Sequence, residues 1–467
     1  MKKLVGSIKE AIKLCNLKDG DTISFHHHLR NGDYVLNMVM ATIAEMGYKD
    51  IKLAASSIFP IHEPLIKHIQ EGVVTSIDTN YMSGVVGEAI SEGIMDEPVT
   101  FRSHGGRPRA IESGELEIDV AFIAAPTADY YGNINGVDGP SACGSLGYAF
   151  PDARHGKKVV AITDNLMDYP ISPISIDQTQ VDYVVEVDAI GEASGIVSGT
   201  TQITRDPIGL TIAKYAARVI EHSGLLKDGF SFQTGAGGSS LAAAYYLKQI
   251  MIEKNIVGSF GMGGITKYFV DFLEEGLFKK LIDVQCFDLD AVRSIKSNPD
   301  HLEVSASFYA NPNSKGCAVD NLDIVILGAT EIDTSFNVNV HTNSNGFIIG
   351  GSGGHNDTAA GSKLSIIVTP LIRARLPIIV DEVLTTTTPG NDIDVIVTER
   401  GIAVNPRNKD LRERLMEAGL PIVDIQDLKK KAESMTGKPN KIKTGDKVVG
   451  LVEYRDGNII DSIYNIV

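Results

Sequence analysis

Three consecutive histidines, His26 to His28, stand just before Arg30 in the stretch "SFHHHLRNGD". Imidazole and guanidinium donors packed this closely can hold a carboxylate, ligate a metal or serve as polar filler. Adjacent residues on an extended stretch point to opposite faces, so three neighbouring rings do not converge on one ion. A terminal affinity tag is excluded by position. At least one ring is expected to turn inward as a structural group. Charge-assisted hydrogen bonds to an anion suit His27, His28 and Arg30. A second cluster, "RSHGGRPR", gathers Arg102, His104, Arg107 and Arg109 around Gly105 and Gly106. An anion site and a solvated turn explain that cluster equally well.

Two glycine-rich stretches offer backbone donors instead. In "SFQTGAGGSS", Gly235, Gly237 and Gly238 would let main-chain N–H groups approach a phosphate or a developing oxyanion. The run "GFIIGGSGGHNDTAAG", Gly346 to Gly361, is neither a dinucleotide fingerprint before a helix nor a Walker loop. It is read as a nucleotide-phosphate or thioester loop centred on Ser352, Gly353, Gly354, His355, Asn356 and Asp357, with a wide turn as the alternative. The cysteines Cys15, Cys143, Cys286 and Cys317 form no CxxC pair, so neither a zinc site nor a disulfide framework is expected. Cys143 in "SACGSLG" is favoured as buried filler over a catalytic thiol.

These loops need a scaffold, and the apolar pattern supplies one. Short continuous runs such as "TISF", "DVAFIAA", "KVVAIT", "LDIVILGA" and "LSIIVTP" alternate with helix-period segments such as "DYVLNMVMATIAEMG" and "SLAAAYYLKQIMIEK". That alternation predicts an α/β protein whose mainly parallel sheets are covered on both faces. The chain also repeats itself. "LKDG" recurs at an offset of 209, and "HIQEGVV" meets "FLEEGLF" at 204. Asp129, Asn133 and Asn135 face Asp333, Asn337 and Asn339 at the same 204. Collinear matches predict two homologous, mainly parallel α/β domains, residues 1–222 and 223–467. The repeat sets the histidine loop opposite "QTGAGGS", each turning from an opening strand into a helix, where open α/β sheets bind ligands. The basic stretch from about Lys430 reads as a solvated connection, and "KVVGLVEYRDGNIIDSIYNIV" as a closing hairpin with Asp456-Gly457 at its turn.

Charge narrows the partners. A net −16 over 467 residues disfavours nucleic acid and anionic membrane surfaces. No run approaches the roughly 18 apolar residues of a membrane span. The lysines of "MKKLVGSIKEAIKLCN" resemble a secretory leader, but Lys9, Glu10 and Lys13 interrupt its apolar positions. Scattered cysteines fit a reducing cytoplasm.

The segments "GDTISFHHHLRNGDYVLNMVM", "SHGGRPRAIESGE", "SACGSLGYA", "SFQTGAGGSSLA", "GGITKYFVDFLEEGL", "EIDTSFNVNV" and "GGSGGHNDTAAG" together resemble the citrate lyase alpha chains, over essentially the whole chain. The one departure is a shorter start than many relatives have, with no catalytic consequence expected. The family lies in the CoA-transferase superfamily, so the resemblance implies two halves of the CoA-transferase (NagB/RpiA-like) type. It further implies exchange of acetyl for citryl on a CoA-like thiol, with release of acetate. The thiol would belong to the phosphoribosyl-dephospho-CoA group of a gamma, acyl carrier subunit, or to acetyl-CoA, and a beta subunit would cleave the citryl thioester. No cofactor on this chain, no metal and an oligomeric state are expected. On this reading His27, His28, Arg30, Arg102 and Arg107 hold citrate, Gly235, Gly237 and Gly238 face the oxyanion, and residues 352–357 hold the CoA-like arm. Many superfamily members carry a covalent glutamate; alignment puts Gly261 there, which implies direct transfer through a mixed anhydride. Citramalate CoA-transferase and acetyl-CoA hydrolase activities remain open.

Overall fold

A computed structural model describes residues 3–197, 202–439 and 442–467. The first sheet contains β1 (Leu4–Val5), β2 (Thr22–Phe25), β3 (Ile51–Ala55), β4 (Val74–Thr79), β5 (Val99–Phe101), β6 (Val120–Ala125), β7 (Lys158–Thr163) and β8 (Tyr183–Glu186). The second contains β9 (Ser231–Thr234), β10 (Gly258–Ile265), β11 (Phe278–Cys286), β12 (His301–Glu303), β13 (Ile324–Leu327), β14 (Leu364–Val368), β15 (Val395–Thr398) and β16 (Gly401–Val404). The carboxy-terminal strands are β17 (Thr444–Glu453) and β18 (Ile459–Ile466). Each predicted apolar run is a strand. Those runs are continuous because both faces are covered: β6, β13 and β14 have no exposed position.

Spatial order makes the repeat concrete. The first sheet runs β1-β8-β7-β6-β2-β3-β4-β5-β17-β18, and the second β12-β11-β10-β9-β13-β14-β15-β16. Reading β8 to β5 in one and β15 to β12 in the other gives the same sequence of strands. Pairing is parallel except at β15–β16 and β17–β18. The matched Asp/Asn positions are turn staples: Asp129 Oδ1 accepts from the amides of Tyr131 and Asn133, as Asp333 Oδ1 does from Ser335 and Asn337. In both sheets the order reverses beside the opening strand, between β2 and β6 and between β9 and β13. Open α/β sheets place their ligand crevice there, at the carboxyl ends.

Six helices bear on the crevice and its loops: α1 (Val35–Glu45), α2 (Gly106–Ser113), α3 (Ala149–His155), α4 (Pro207–His222), α5 (Gly238–Lys254) and α6 (His355–Gly361). α4 shows why such segments are helical. Pro207 starts it, Asp206 caps it by accepting from the Gly209 amide, and Ile212, Ala213, Ala216, Val219 and Ile220 form its buried stripe.

Sheet membership departs from the expected division at both ends. α4, expected to close the first domain, packs along α5 and against β15 of the second sheet. The hairpin forms with its turn at Gly457, but β17 pairs with β5, so residues assigned to the second domain extend the first sheet. An open parallel edge at β5 needs a partner, and β17 is the chain that reaches it. The stretch from Lys430 is no mere connection. It continues the helix Ile425–Thr436, capped by Asp424 and anchored by buried Ile425, Leu428 and Ala432 at helical spacing.

Candidate active site

The carboxyl ends of the two sheets face each other. From the second sheet, Gln285 on β11 donates its Nε2 to the His27 carbonyl at 2.7 Å. Gly264 on β10 lies against Phe287, whose ring is 4.5 Å from the Arg30 guanidinium. The loop after β2 is thus held from both halves.

The three histidines alternate as an extended chain requires. The rings of His26 and His28 stack 6.2 Å apart on one side, with His26 Nε2 3.3 Å from Asp152. His28 donates Nε2–H to the Ala124 carbonyl on β6 at 2.7 Å, so its ring turns toward the sheet, away from the side His27 faces. His27 faces the crevice. Its amide and its Nδ1 both meet Ser56 Oγ, at 3.1 and 2.6 Å. Its ring lies 4.5 Å from that of Tyr148 and 5.6 Å from that of His104, and Tyr148 and His104 are 4.6 Å apart. Burial depresses His27 well below the usual histidine range and takes His104 down to about 3. Both imidazoles are neutral at pH 7.

Arg30 supplies the positive charge. Its guanidinium lies over Phe287 and 5.7 Å from the Phe59 ring, and its enclosed Nη1 has no hydrogen-bond partner. No carboxylate lies within ion-pair distance of it among the described residues. Enclosing a cation without an anion is costly, and burial accordingly lowers its pKa. The chain accepts a left-handed φ of 51° at Arg30 to place it there.

The other expected anion ligands are occupied. Arg107 grips Asp152 through two 2.7 Å bonds and also donates to the Ala54 carbonyl. Arg102 is bound to Asp78 at 2.6 Å, to Glu115 at 2.8 Å and to Glu453. Each guanidinium is paired with carboxylates from within the fold, unlike Arg30. Composition signalled the cluster, but the carboxylates come from distant positions.

The loop 350–357 is a strap between the halves. Gly353 accepts from the His104 amide at 2.7 Å and donates to the Asn80 carbonyl at 3.1 Å. A side chain at Gly351 would strike the Asn80 carbonyl at 2.3 Å. Asp357 is fully buried and accepts from Ser103 Oγ at 2.8 Å and the Gly105 amide at 2.9 Å. His355 is committed to Thr388 and the Gly328 carbonyl. Ser352 and Asn356 are buried, each with one enclosed oxygen lacking a partner. Of residues 352–357 only Gly353 and Gly354 are partly exposed, and they lie against His104 and Tyr309. The expected arm-binding loop is therefore mostly interior.

Of the three expected oxyanion glycines, Gly235 already donates to the Ile326 carbonyl at 2.9 Å. Gly237 caps α5 and Gly238 opens it, so their amides lie at a helix N-terminus. Gly261 is not at a strand end. It sits within β10, paired with Phe232 and Leu281, and its Cα faces Phe269. The strand ends four residues later with Gly263, Gly264 and Ile265, where a register shift and a φ of +105° at Gly263 turn the backbone over Gln233. None of these residues has a carboxyl group.

Tyr148, Gln233, Gln285, Phe287 and Tyr309 were not singled out from sequence, since no motif marks a lone ring or amide. Gln233 Nε2 donates to the Tyr309 hydroxyl at 2.9 Å, and that hydroxyl lies beside Gly354 of the strap. A separate surface cavity of about 440 Å³ lies at the amino ends of β14 and β15. There Lys363 and Arg407 are already paired with Asp323 and Asp394. Among the described residues no group of three or more His, Cys, Asp or Glu could hold a metal, and no helix is long and apolar enough to cross a membrane.

A duplicated, mainly parallel α/β architecture whose facing strand ends hold Arg30, without a carboxylate partner among the described residues, defines a two-half α/β protein with a cationic candidate site. The family described as citrate lyase, alpha subunit (CitF), matches residues 1–466. The citrate lyase alpha chain of Klebsiella pneumoniae is 52% identical over 462 residues, 99% of this chain and 91% of that one. That of Escherichia coli K12 is 51% identical over 465 residues, 100% of this chain and 91% of its own. A citrate lyase alpha subunit from Streptococcus mutans, solved in complex with citrate, superposes with a TM-score of 0.98 at 52% identity, covering 100% of this chain and 92% of that one. A Pseudomonas malonate decarboxylase hetero-tetramer solved with malonate shares the fold at a TM-score of 0.68 and 16% identity, covering 93% and 86%. The chain belongs to the citrate lyase alpha subunit family.

Proposed function

We propose that this chain is the citrate CoA-transferase subunit of a citrate lyase. It converts an acetyl thioester and citrate into a citryl thioester and acetate. The observation that carries the reading is Arg30: a cation enclosed by aromatic rings, lacking a carboxylate of its own, beside two neutral imidazoles. That combination draws in a polycarboxylate without neutralising itself. Family membership and the citrate-bound Streptococcus relative support the choice of anion.

Arg30 binds one citrate carboxylate, and His27 and His104 donate hydrogen bonds to it. Ser56 Oγ accepts the His27 amide and, giving its own hydrogen to Nδ1, leaves the His27 ring proton on Nε2 for the ligand. A second citrate carboxylate attacks the acetyl thioester carbonyl, and the tetrahedral oxyanion meets the amides of Gly237 and Gly238. Expulsion of the thiolate gives the acetyl–citryl anhydride. The thiolate then attacks the citryl carbonyl and acetate leaves. The arm approaches past Gly353 and Gly354. The natural thiol is that of the phosphoribosyl-dephospho-CoA arm on a gamma, acyl carrier subunit, and a beta subunit cleaves the product. The purified chain, mixed with acetyl-CoA and citrate, is expected to yield citryl-CoA and acetate in equal amounts. Acetate without citryl-CoA would mark a hydrolase instead, and turnover of citramalate in preference to citrate would reassign the substrate.

A further inference from the structure

β17 runs beside β5 in parallel register, Gly450 opposite Val99 and Val452 opposite Phe101. β5 then runs into the turn that carries His104, and β17 ends at Glu453 and continues into Tyr454-Arg455. Glu453 is buried and accepts from Arg102 and, at 3.1 Å, from Arg109. Two residues on, Arg455 donates to Asp320 at 3.0 Å, and its Nε lies 3.9 Å from Asp357. Asp357 in turn holds Ser103 Oγ and the Gly105 amide. Arg102, Ser103 and Gly105 therefore each lead, directly or through one carboxylate, to the hairpin. Gly457 at its tip lies against Arg109, where an added Cβ would stand 2.8 Å from Cζ.

A hairpin that only covered a sheet edge would need backbone pairing and apolar contacts. Buried ion networks add little net stability over apolar packing of the same volume. What such a network does supply is fixed geometry, and here it converges on the turn of a site residue. We propose that the carboxy-terminal hairpin, through Glu453 and Arg455, is the positioning element of the His104 turn and sets the citrate subsite from outside it. The inference rests on the citrate-transferase function for its kinetic consequence, and on geometry alone for its structural one.

Glu453→Gln keeps the size and removes the charge. Its KM for citrate is expected to rise roughly tenfold or more, the scale of a displaced positioning group, with the KM for acetyl-CoA unchanged. On a His104→Ala background the same substitution is expected to add no further loss, because its route through His104 is gone. Losses that multiply, or equal rises in both KM values, overturn the proposal. Arg455→Lys, which keeps the charge, is expected to retain the citrate KM that Arg455→Met loses, so a poorly folding Glu453 variant does not end the test. Without substrates, the histidine 13Cε1 resonance that disappears in His104→Ala should shift in Glu453→Gln. An unmoved resonance refutes positioning, whereas a moved one in a chain that turns over no citrate refutes only the citrate reading.

Discussion

Arg30 adopts a left-handed backbone, its N–H bound to the His27 carbonyl at 2.9 Å, and carries its charge to Phe287 instead of to solvent. Losing one charge-assisted contact costs about 1.5–3 kcal/mol. Arg30→Ala is therefore expected to raise the citrate KM roughly tenfold to hundredfold while sparing that for acetyl-CoA, as steady-state kinetics would read. Equal effects on both substrates would remove Arg30 from the citrate subsite. Buried histidines give a second prediction. Burial holds His28 and His355 at about 4 and His104 and His341 at about 3, below the 6.5 of an unfolded chain. Their contribution is present above about 6.5 and lost as pH falls, because the unfolded chain binds protons first. Asp357 acts oppositely: burial raises it to about 6, so its contribution grows as pH falls. The Tm is expected to drop from pH 7 to 5.5, and Asp357→Asn is expected to steepen the drop. A shallower drop in that variant would contradict the sign. From sequence alone His27 and Arg30 were legible as candidate anion ligands. His28, Arg102 and Arg107 were not separable from them, because their partners Ala124, Asp78, Glu453 and Asp152 lie far away in the chain.

At the scale of elements, the strap and the turn after β5 are built on close backbone approach. Gly353 has a φ of +50°, and an added Cβ there would stand 3.4 Å from His104 Nε2. Gly353→Val adds left-handed strain of about 1–2 kcal/mol and presses on His104. Because the arm passes this glycine and His104 lies beside it, the KM for acetyl-CoA and that for citrate are both expected to rise in a protein that still folds. An unchanged acetyl-CoA KM would take the arm's path away from this loop. Gly105 is more demanding: an added Cβ would stand 2.0 Å from the Ala310 carbonyl oxygen and 2.7 Å from Asp357. Gly105→Ala is expected to destabilise the chain by about 1–3 kcal/mol, the range for forced overpacking, as chemical denaturation would measure. No loss would mean that α2 can shift away from the second half. Glycine content flagged both stretches as special. It did not distinguish backbone approaching a ligand from backbone approaching another part of the same chain, since both require the missing Cβ.

For the whole molecule, the facing strand ends set the kinetic expectation. On the proposed mechanism, His27 and Arg30 of the first half and Gly237 and Gly238 of the second serve one reaction, so both substrates must be bound together before chemistry. Initial rates should give intersecting double-reciprocal lines, since parallel lines mark a covalent enzyme intermediate. Borohydride after acetyl-CoA alone should leave activity intact; inactivation with a modified carboxylate would refute direct transfer. The sequence by itself determined the α/β class, the duplication and the two equivalent loops at the switch points, because apolar runs, helix periods and repeat offsets are local or collinear signals. Tertiary structure alone decided that β17 completes the first sheet, that α4 serves the second, that Gly261 lies within a strand and that the glycine strap is interior. It also decided which arginine remains free. Each of those outcomes depends on which distant carboxylate, carbonyl or strand edge is brought within a few ångströms, and pairing over such separations leaves no periodicity in the chain to read.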